Sequence, residues 1–176
     1  MKIVIITGSA HRLGTTAALT DQFRRGAESA GHDVFRFDAA FKEVHPCIGC
    51  DKCRRTGKCA FAADDMKELN PHLLAADVFA FVSPIYYFDI NAQLKAVIDR
   101  FYANNEALMG KKKAVFLTAM ADEDKKTASG ANATFDLMAD YLGWKIAGRL
   151  NAGGCSTADD LREEDLTAAY ELGKNL

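Results

Sequence analysis

Four of the five cysteines in this 176-residue chain fall inside thirteen residues, Cys47, Cys50, Cys53 and Cys59, in the segment PCIGCDKCRRTGKC. Thiolates crowded this closely suit a metal or cluster better than a packed core, which takes buried cysteine singly as a small apolar filler. A structural zinc site usually pairs two C-x2-C knuckles across roughly 12 to 20 residues, whereas a compact run suits an iron-sulfur cluster. Cys59, last in the run and next to Lys58, is the ligand with the thinnest support. His45 lies close to Cys47 and is a further ligand if the site is zinc, although a lone loop histidine is more often a solvated residue. Cys155 leaves the count odd, so the set is not read as a disulfide framework.

A second constellation follows the first apolar run: Gly8-Ser9-Ala10-His11-Arg12-Leu13-Gly14-Thr15-Thr16, opening a helix. Backbone N–H groups at a helix start, with the positive dipole end behind them, hold phosphate. Ser9, Thr15 and Thr16 add hydroxyls, and His11 and Arg12 add basic groups. A Walker loop needs Lys before the hydroxyl residue, where this chain has Gly14. A dinucleotide fingerprint needs a second glycine where Ala10 stands, although Asp38 at the end of the second strand is placed to mimic the ribose acid. Thr15 or Ser9 also suit a simple helix cap, but capping alone does not call for two glycines, three hydroxyls and two basic residues.

The third constellation is Ser83-Pro84-Ile85-Tyr86-Tyr87-Phe88-Asp89-Ile90-Asn91, ahead of the helix AQLKAVIDRF. Three consecutive aromatics on an exposed loop are costly unless they cover something flat and apolar, as an isoalloxazine ring is, or pack on their own helix or a second subunit. Asp99 and Arg100 in that helix read as surface or interface charges.

The elements that position these groups are legible as short apolar runs, Lys2 to Thr7, Val78 to Ser83 and Ala114 to Met120, with weaker strands at Asp33 to Asp38 and Lys145 to Leu150. Helical periods lie between them, at Leu19, Phe23 and Ala27 and at Leu94, Val97, Ile98 and Phe101. Strands alternating with helices imply right-handed crossovers and a parallel sheet covered on both faces. The expected fold is α/β, a flavodoxin-like three-layer sandwich with a five-stranded parallel sheet of order 2-1-3-4-5. Residues 1–176 read as a single domain, with a cysteine-rich irregular loop at about 39–63 and a charged surface loop from Ala121 to Ser129. Lys plus Arg number 22 against 24 Asp plus Glu, so the charge of −2 sets up no field for nucleic acid or an acidic membrane. The apolar start MKIVIITGSA is too short for a membrane span and lacks signal-peptide features, which predicts a cytoplasmic protein.

Together the three motifs resemble the NADPH-dependent FMN reductase-like branch of the flavodoxin superfamily, and within it the iron-sulfur flavoproteins. GSAHRLGTT is similar to that family's phosphate loop G-S-x-R-x-x-G-x-T, with His11 at the arginine position and Arg12 beside it. SPIYYFDINAQLKAVIDR is similar to its flavin loop and following helix, and the cysteine spacing resembles the cluster motif of the iron-sulfur flavoproteins. The resemblance implies an FMN-dependent oxidoreductase passing electrons from NAD(P)H through flavin to an acceptor, built as a homodimer or homotetramer, in which no side chain need act as acid or base. It implies FMN contacts at Ser9, His11, Arg12, Gly14, Thr15, Thr16, Pro84, Ile85, Tyr86, Tyr87, Phe88 and Ala119. It implies a [4Fe-4S] cluster on Cys47, Cys50, Cys53 and Cys59, although related flavin reductases carry a similar segment without one. The rival readings are a non-catalytic flavodoxin-like electron carrier and a thiol- or zinc-based redox sensor.

Overall fold

The structure is a computed structural model that describes residues 1–176. Strands β1 (Lys2–Thr7), β2 (Asp33–Asp38), β3 (Val78–Tyr86), β5 (Lys113–Ala119) and β6 (Lys145–Ala152) form a parallel sheet in the order β2-β1-β3-β5-β6. A sixth strand, the two-residue β4 (Asp89–Ile90), pairs antiparallel with the end of β3. The expectation of five strands is therefore corrected to six, while the parallel path keeps the 2-1-3-4-5 topology once β4 is set aside.

Because side chains along a strand alternate between faces, the apolar runs split cleanly in two. Ile3, Ile5, Val78, Ala80, Val82, Val115 and Leu117 pack on one face with Leu19, Phe23 and Ala27 of α1 (Thr15–Ser29) and Ala169 of α7 (Glu163–Lys174). Val4, Ile6, Phe79, Phe81 and Phe116 pack on the other, against α3 (Met66–Ala75), α4 (Ala92–Asp99) and α6 (Ser129–Leu142). Stacked rings run through that second core, Phe79 on Trp144 at 4.3 Å and Phe116 on Phe135 at 4.9 Å. The short helix α2 (Lys52–Thr56) buries no residue, whereas α5 (Asn105–Leu108) adds Leu108 to the second core.

Helices α1 and α7 meet backbone to backbone. A Cβ at Gly26 would run into the Tyr170 carbonyl, and one at Gly173 into the Phe23 carbonyl, so both positions require the absence of a side chain. This contact fixes the carboxyl-terminal half of α1 against α7.

Candidate functional site

The carboxyl ends of β1, β3, β5 and β6 border a cleft of about 910 Å³. Ser9, His11, Arg12, Gly14, Thr15 and Thr16 line one end of it, and Pro84, Ile85, Tyr86 and Ala119 line the other. Ten of the predicted contacts are thus brought together by four separate elements. The structure also places Met120, Ala121 and the segment Cys155–Ala158 in the same wall, of which Ser156, Thr157 and Ala158 carried no signal of their own in the sequence. Ala121 opens the loop expected to be plain surface; the next residue, Asp122, accepts the Gly154 N–H at 3.1 Å and so ties that loop to the β6 end of the cleft.

The phosphate loop is open for an anion. Gly14 is the N-cap of α1, no side chain caps the helix, and its first turn carries no acidic residue. The amides of Thr15, Thr16 and Ala17 have no acceptor within the chain. Four orphan N–H groups are normal for a helix start, and a ligand is one of the few partners left to this one. Neither Thr15 nor Ser9 acts as the cap. Ser9, 6% exposed, instead accepts the His11 N–H on its Oγ at 3.1 Å, which shapes the loop from within.

One buried side chain joins this loop to the aromatic loop. Asn91, 2% exposed, donates from Nδ2 to the Gly8 carbonyl at 2.5 Å, while its backbone N–H donates to Ser83 Oγ at 3.0 Å. A Cβ on Gly8 would strike the Asn91 side-chain oxygen, so the close approach is available only to glycine. The two ends of the cleft are in this way held at a fixed separation.

Tyr87 and Phe88, predicted to border a flat ring, do not line the cleft. They form the two-residue turn between β3 and β4, both with left-handed backbone, φ 49° and 68°. Two-residue hairpins with positive φ at both positions favour Asn and Gly, and bulky residues held there store strain of about 1–3 kcal/mol each. Helix α6 compensates: Ala131 N–H donates to the Phe88 carbonyl at 3.0 Å, and Thr134 donates to Asp89 at 3.2 Å. Tyr87 is 99% and Phe88 62% exposed, so the turn presents its aromatics outward.

The cysteine segment is closed at its neck by a buried ion pair. Arg100, 3% exposed, donates to Asp64 at 2.5 Å, to the His45 carbonyl at 2.8 Å and to the Phe61 carbonyl at 3.1 Å. Asp64 accepts the His45 and Met66 N–H groups, both at 3.1 Å, and the His45 and Phe61 rings stack at 4.7 Å. Burial works against the Asp64 carboxylate, but the guanidinium and the two amides outweigh it and hold the carboxyl below its ordinary range. The reading of Arg100 as a surface charge is corrected: its side chain organises the loop, and Asp99 alone faces outward, paired with Lys95.

Beyond the neck, Cys47, Cys50, Cys53 and Cys59 border one small cavity of about 20 Å³ with Ile48, Phe61 and Tyr102. No three of the cysteine, histidine and carboxylate side chains are arranged to hold a metal ion. The donor types suit iron, but the thiols as placed do not fit a metal centre. Cys155 is separate from them, 4% exposed against the cleft wall, and burial pushes its thiol up.

Residues 1–153 match the family described as NADPH-dependent FMN reductase. An iron-sulfur flavoprotein of Archaeoglobus fulgidus is 34% identical over 113 residues, covering 63% of this chain and 51% of the relative. One from Methanocaldococcus jannaschii is 35% identical over 100 residues, covering 57% and 51%. The chain spans about half the length of these two relatives. Among solved structures, the NAD(P)H:quinone oxidoreductase from Methanothermobacter marburgensis superposes with a TM-score of 0.76 at 20% identity, covering 98% of this chain and 94% of its own, which shows a shared fold. No helix is long and apolar enough to cross a membrane.

Proposed function

The chain belongs to the NADPH-dependent FMN reductase family, and from that premise we propose that it is an FMN-dependent oxidoreductase passing electrons from NAD(P)H to an acceptor, with residues 1–176 acting as one FMN-binding domain in the cytoplasm. The observation that carries this reading is a single cleft joining an uncapped helix start to a wall of Pro84, Ile85 and Tyr86. Its volume lies within the range of roughly 300–1,000 Å³ common to cofactor sites. FMN, when bound, supplies the hydride chemistry. The chain's own residues bind and orient. The free amides and hydroxyls of Thr15 and Thr16 hold the phosphate, with His11 beside them. Pro84, Ile85 and Tyr86 cover one edge of the ring, and Ala119 and Met120 leave room on the β5 side. Because the cofactor carries the reaction, none of these groups need act as acid or base.

The test is steady-state oxidation of NADPH by protein reconstituted with FMN, with a quinone or ferricyanide as acceptor. The reading predicts turnover that requires both the protein and FMN. FMN bound without NAD(P)H oxidation leaves the carrier reading in its place. The form of the proposal that adds a [4Fe-4S] cluster requires Cys47, Cys50, Cys53 and Cys59 to spread around a body larger than the present cavity; iron and acid-labile sulfide assayed on the same sample separate the two forms, and no electron step is routed through those thiols here.

A homodimer or homotetramer belongs to the same proposal. Tyr87 and Phe88 on the turn, and Leu137 and Tyr141 on α6, leave apolar surface on neighbouring elements that a second copy would cover. Light scattering should give at least twice the chain mass, and a monomer at micromolar concentration removes this part of the reading.

A further inference from the structure

Beside the main cleft lies a second, polar pocket of about 70 Å³, lined by Thr7, Ser9, His11, Arg12, Arg36, Asp38 and Phe41 with Ala17 at its base. It shares Ser9, His11 and Arg12 with the cleft and reaches the ends of β1 and β2. Arg36 is engaged there, pairing with Asp38 at 2.9 Å and Asp21 at 2.8 Å, so the acidic group of the pocket is already neutralised. Arg12 is different. Its guanidinium lies 3.6 Å over the Phe41 ring, and no carboxylate stands within ion-pair distance of it. Phe41 lines the side pocket and not the cleft, which puts the charged end of Arg12 on the side-pocket flank of the phosphate loop.

A guanidinium held over an aromatic ring by a cation–π contact keeps N–H groups free for hydrogen bonds and can stack a second planar group on its other face. The pocket admits a phosphoryl group but not a nucleoside. Resting on the reductase reading, we propose that Arg12, backed by Phe41 and flanked by His11 and Ser9, is the subsite for the 2′-phosphate of the nicotinamide donor, with the adenine over the outer face of the guanidinium. On this assignment the flavin phosphate is held by the amides and hydroxyls at the start of α1, and Arg12 selects NADPH over NADH.

The experiment is calorimetric titration of the FMN-supplemented protein with 2′,5′-ADP and with 5′-AMP, comparing wild type with Arg12→Gln, Arg12→Lys and Phe41→Leu. Wild type should bind 2′,5′-ADP about 10- to 100-fold more tightly than 5′-AMP, the span expected of one charge-assisted phosphate contact. Arg12→Gln should abolish that preference, Arg12→Lys should keep part of it, and Phe41→Leu should reduce it. Equal binding of the two probes by wild type overturns the assignment. So does displacement of 2′,5′-ADP by added FMN, or a loss of FMN affinity in Arg12→Gln as large as the loss of 2′,5′-ADP affinity, either of which assigns Arg12 to the flavin phosphate. Because the titration needs no turnover, a failure of NADPH oxidation with the 2′,5′-ADP preference intact strikes the reductase reading and leaves the subsite standing.

Discussion

Replacing Arg100 with Leu should lower the unfolding free energy by about 3–5 kcal/mol, the usual effect of removing one partner of a buried ion pair. The loss is large because Asp64, whose side chain is 5% exposed, would keep a charge with no counter-ion. The carbonyls of His45 and Phe61 would lose their donors in the same step. Urea unfolding measures it. The double variant Arg100→Met/Asp64→Leu should recover the part of the loss that comes from the unpaired Asp64 charge, but not the part from the His45 and Met66 N–H groups and the His45 and Phe61 carbonyls left without partners; a double variant as unstable as the single one would show that the unpaired charge is not the source of the loss. The acid side gives a second check. The folded pKa of Asp64 lies below its unfolded value, so its contribution is complete above the ordinary carboxylate range and lost as pH falls through the folded value. Wild type should therefore weaken more steeply than Asp64→Asn in that acid window, and parallel curves would remove Asp64 from the account.

The same pair shows where reading the chain alone reaches its limit. The three central strands were legible because each is an apolar run buried on both faces, the edge strands β2 and β6 more weakly so, and the structure returns Lys2–Thr7 and Asp33–Asp38 at the predicted bounds. The phosphate loop was legible because its chemistry is local: glycines, hydroxyls and a helix start lie within nine consecutive residues. Arg100 and Asp64 are 36 residues apart, and nothing in either neighbourhood marks the other; an Arg after Asp99 in an amphipathic helix reads as surface until the fold lays the cysteine segment over it. The hairpin was missed for a different reason. Its turn residues are Tyr87 and Phe88, which oppose the local rule for positive φ, and the hydrogen bonds from α6 together with the β3–β4 pairing hold them there. The Cys155–Ala158 wall of the cleft carried a faint signal in the paired glycines Gly153 and Gly154, but its position beside Pro84 depends on β6 standing at the sheet edge next to β5.

Asn91→Leu should weaken FMN binding by about 10- to 100-fold, with urea unfolding showing a folded protein of reduced stability. The substitution is close in size but leaves the Gly8 carbonyl without its donor in a buried setting, worth about 1–3 kcal/mol. Each 1.4 kcal/mol that falls on the bound state is about tenfold in affinity. The reason for expecting it to fall there is geometric. Gly8 opens the phosphate loop and Ser83 the aromatic loop, and the Asn91 side chain bonds both, donating from Nδ2 to the Gly8 carbonyl and accepting the Ser83 hydroxyl on Oδ1 at 3.2 Å, so one amide side chain sets the distance between the two ends of the cleft. Gly8→Ala tests the same joint from the other side. Its Cβ would displace the Asn91 side chain by contact instead of by lost hydrogen bonding, and the two variants should converge on a similar FMN affinity. Fluorescence quenching of FMN on titration with each variant measures this. If both variants bind FMN as wild type does while losing stability, Asn91 is a fastening of the fold alone and the cleft does not depend on the spacing it sets.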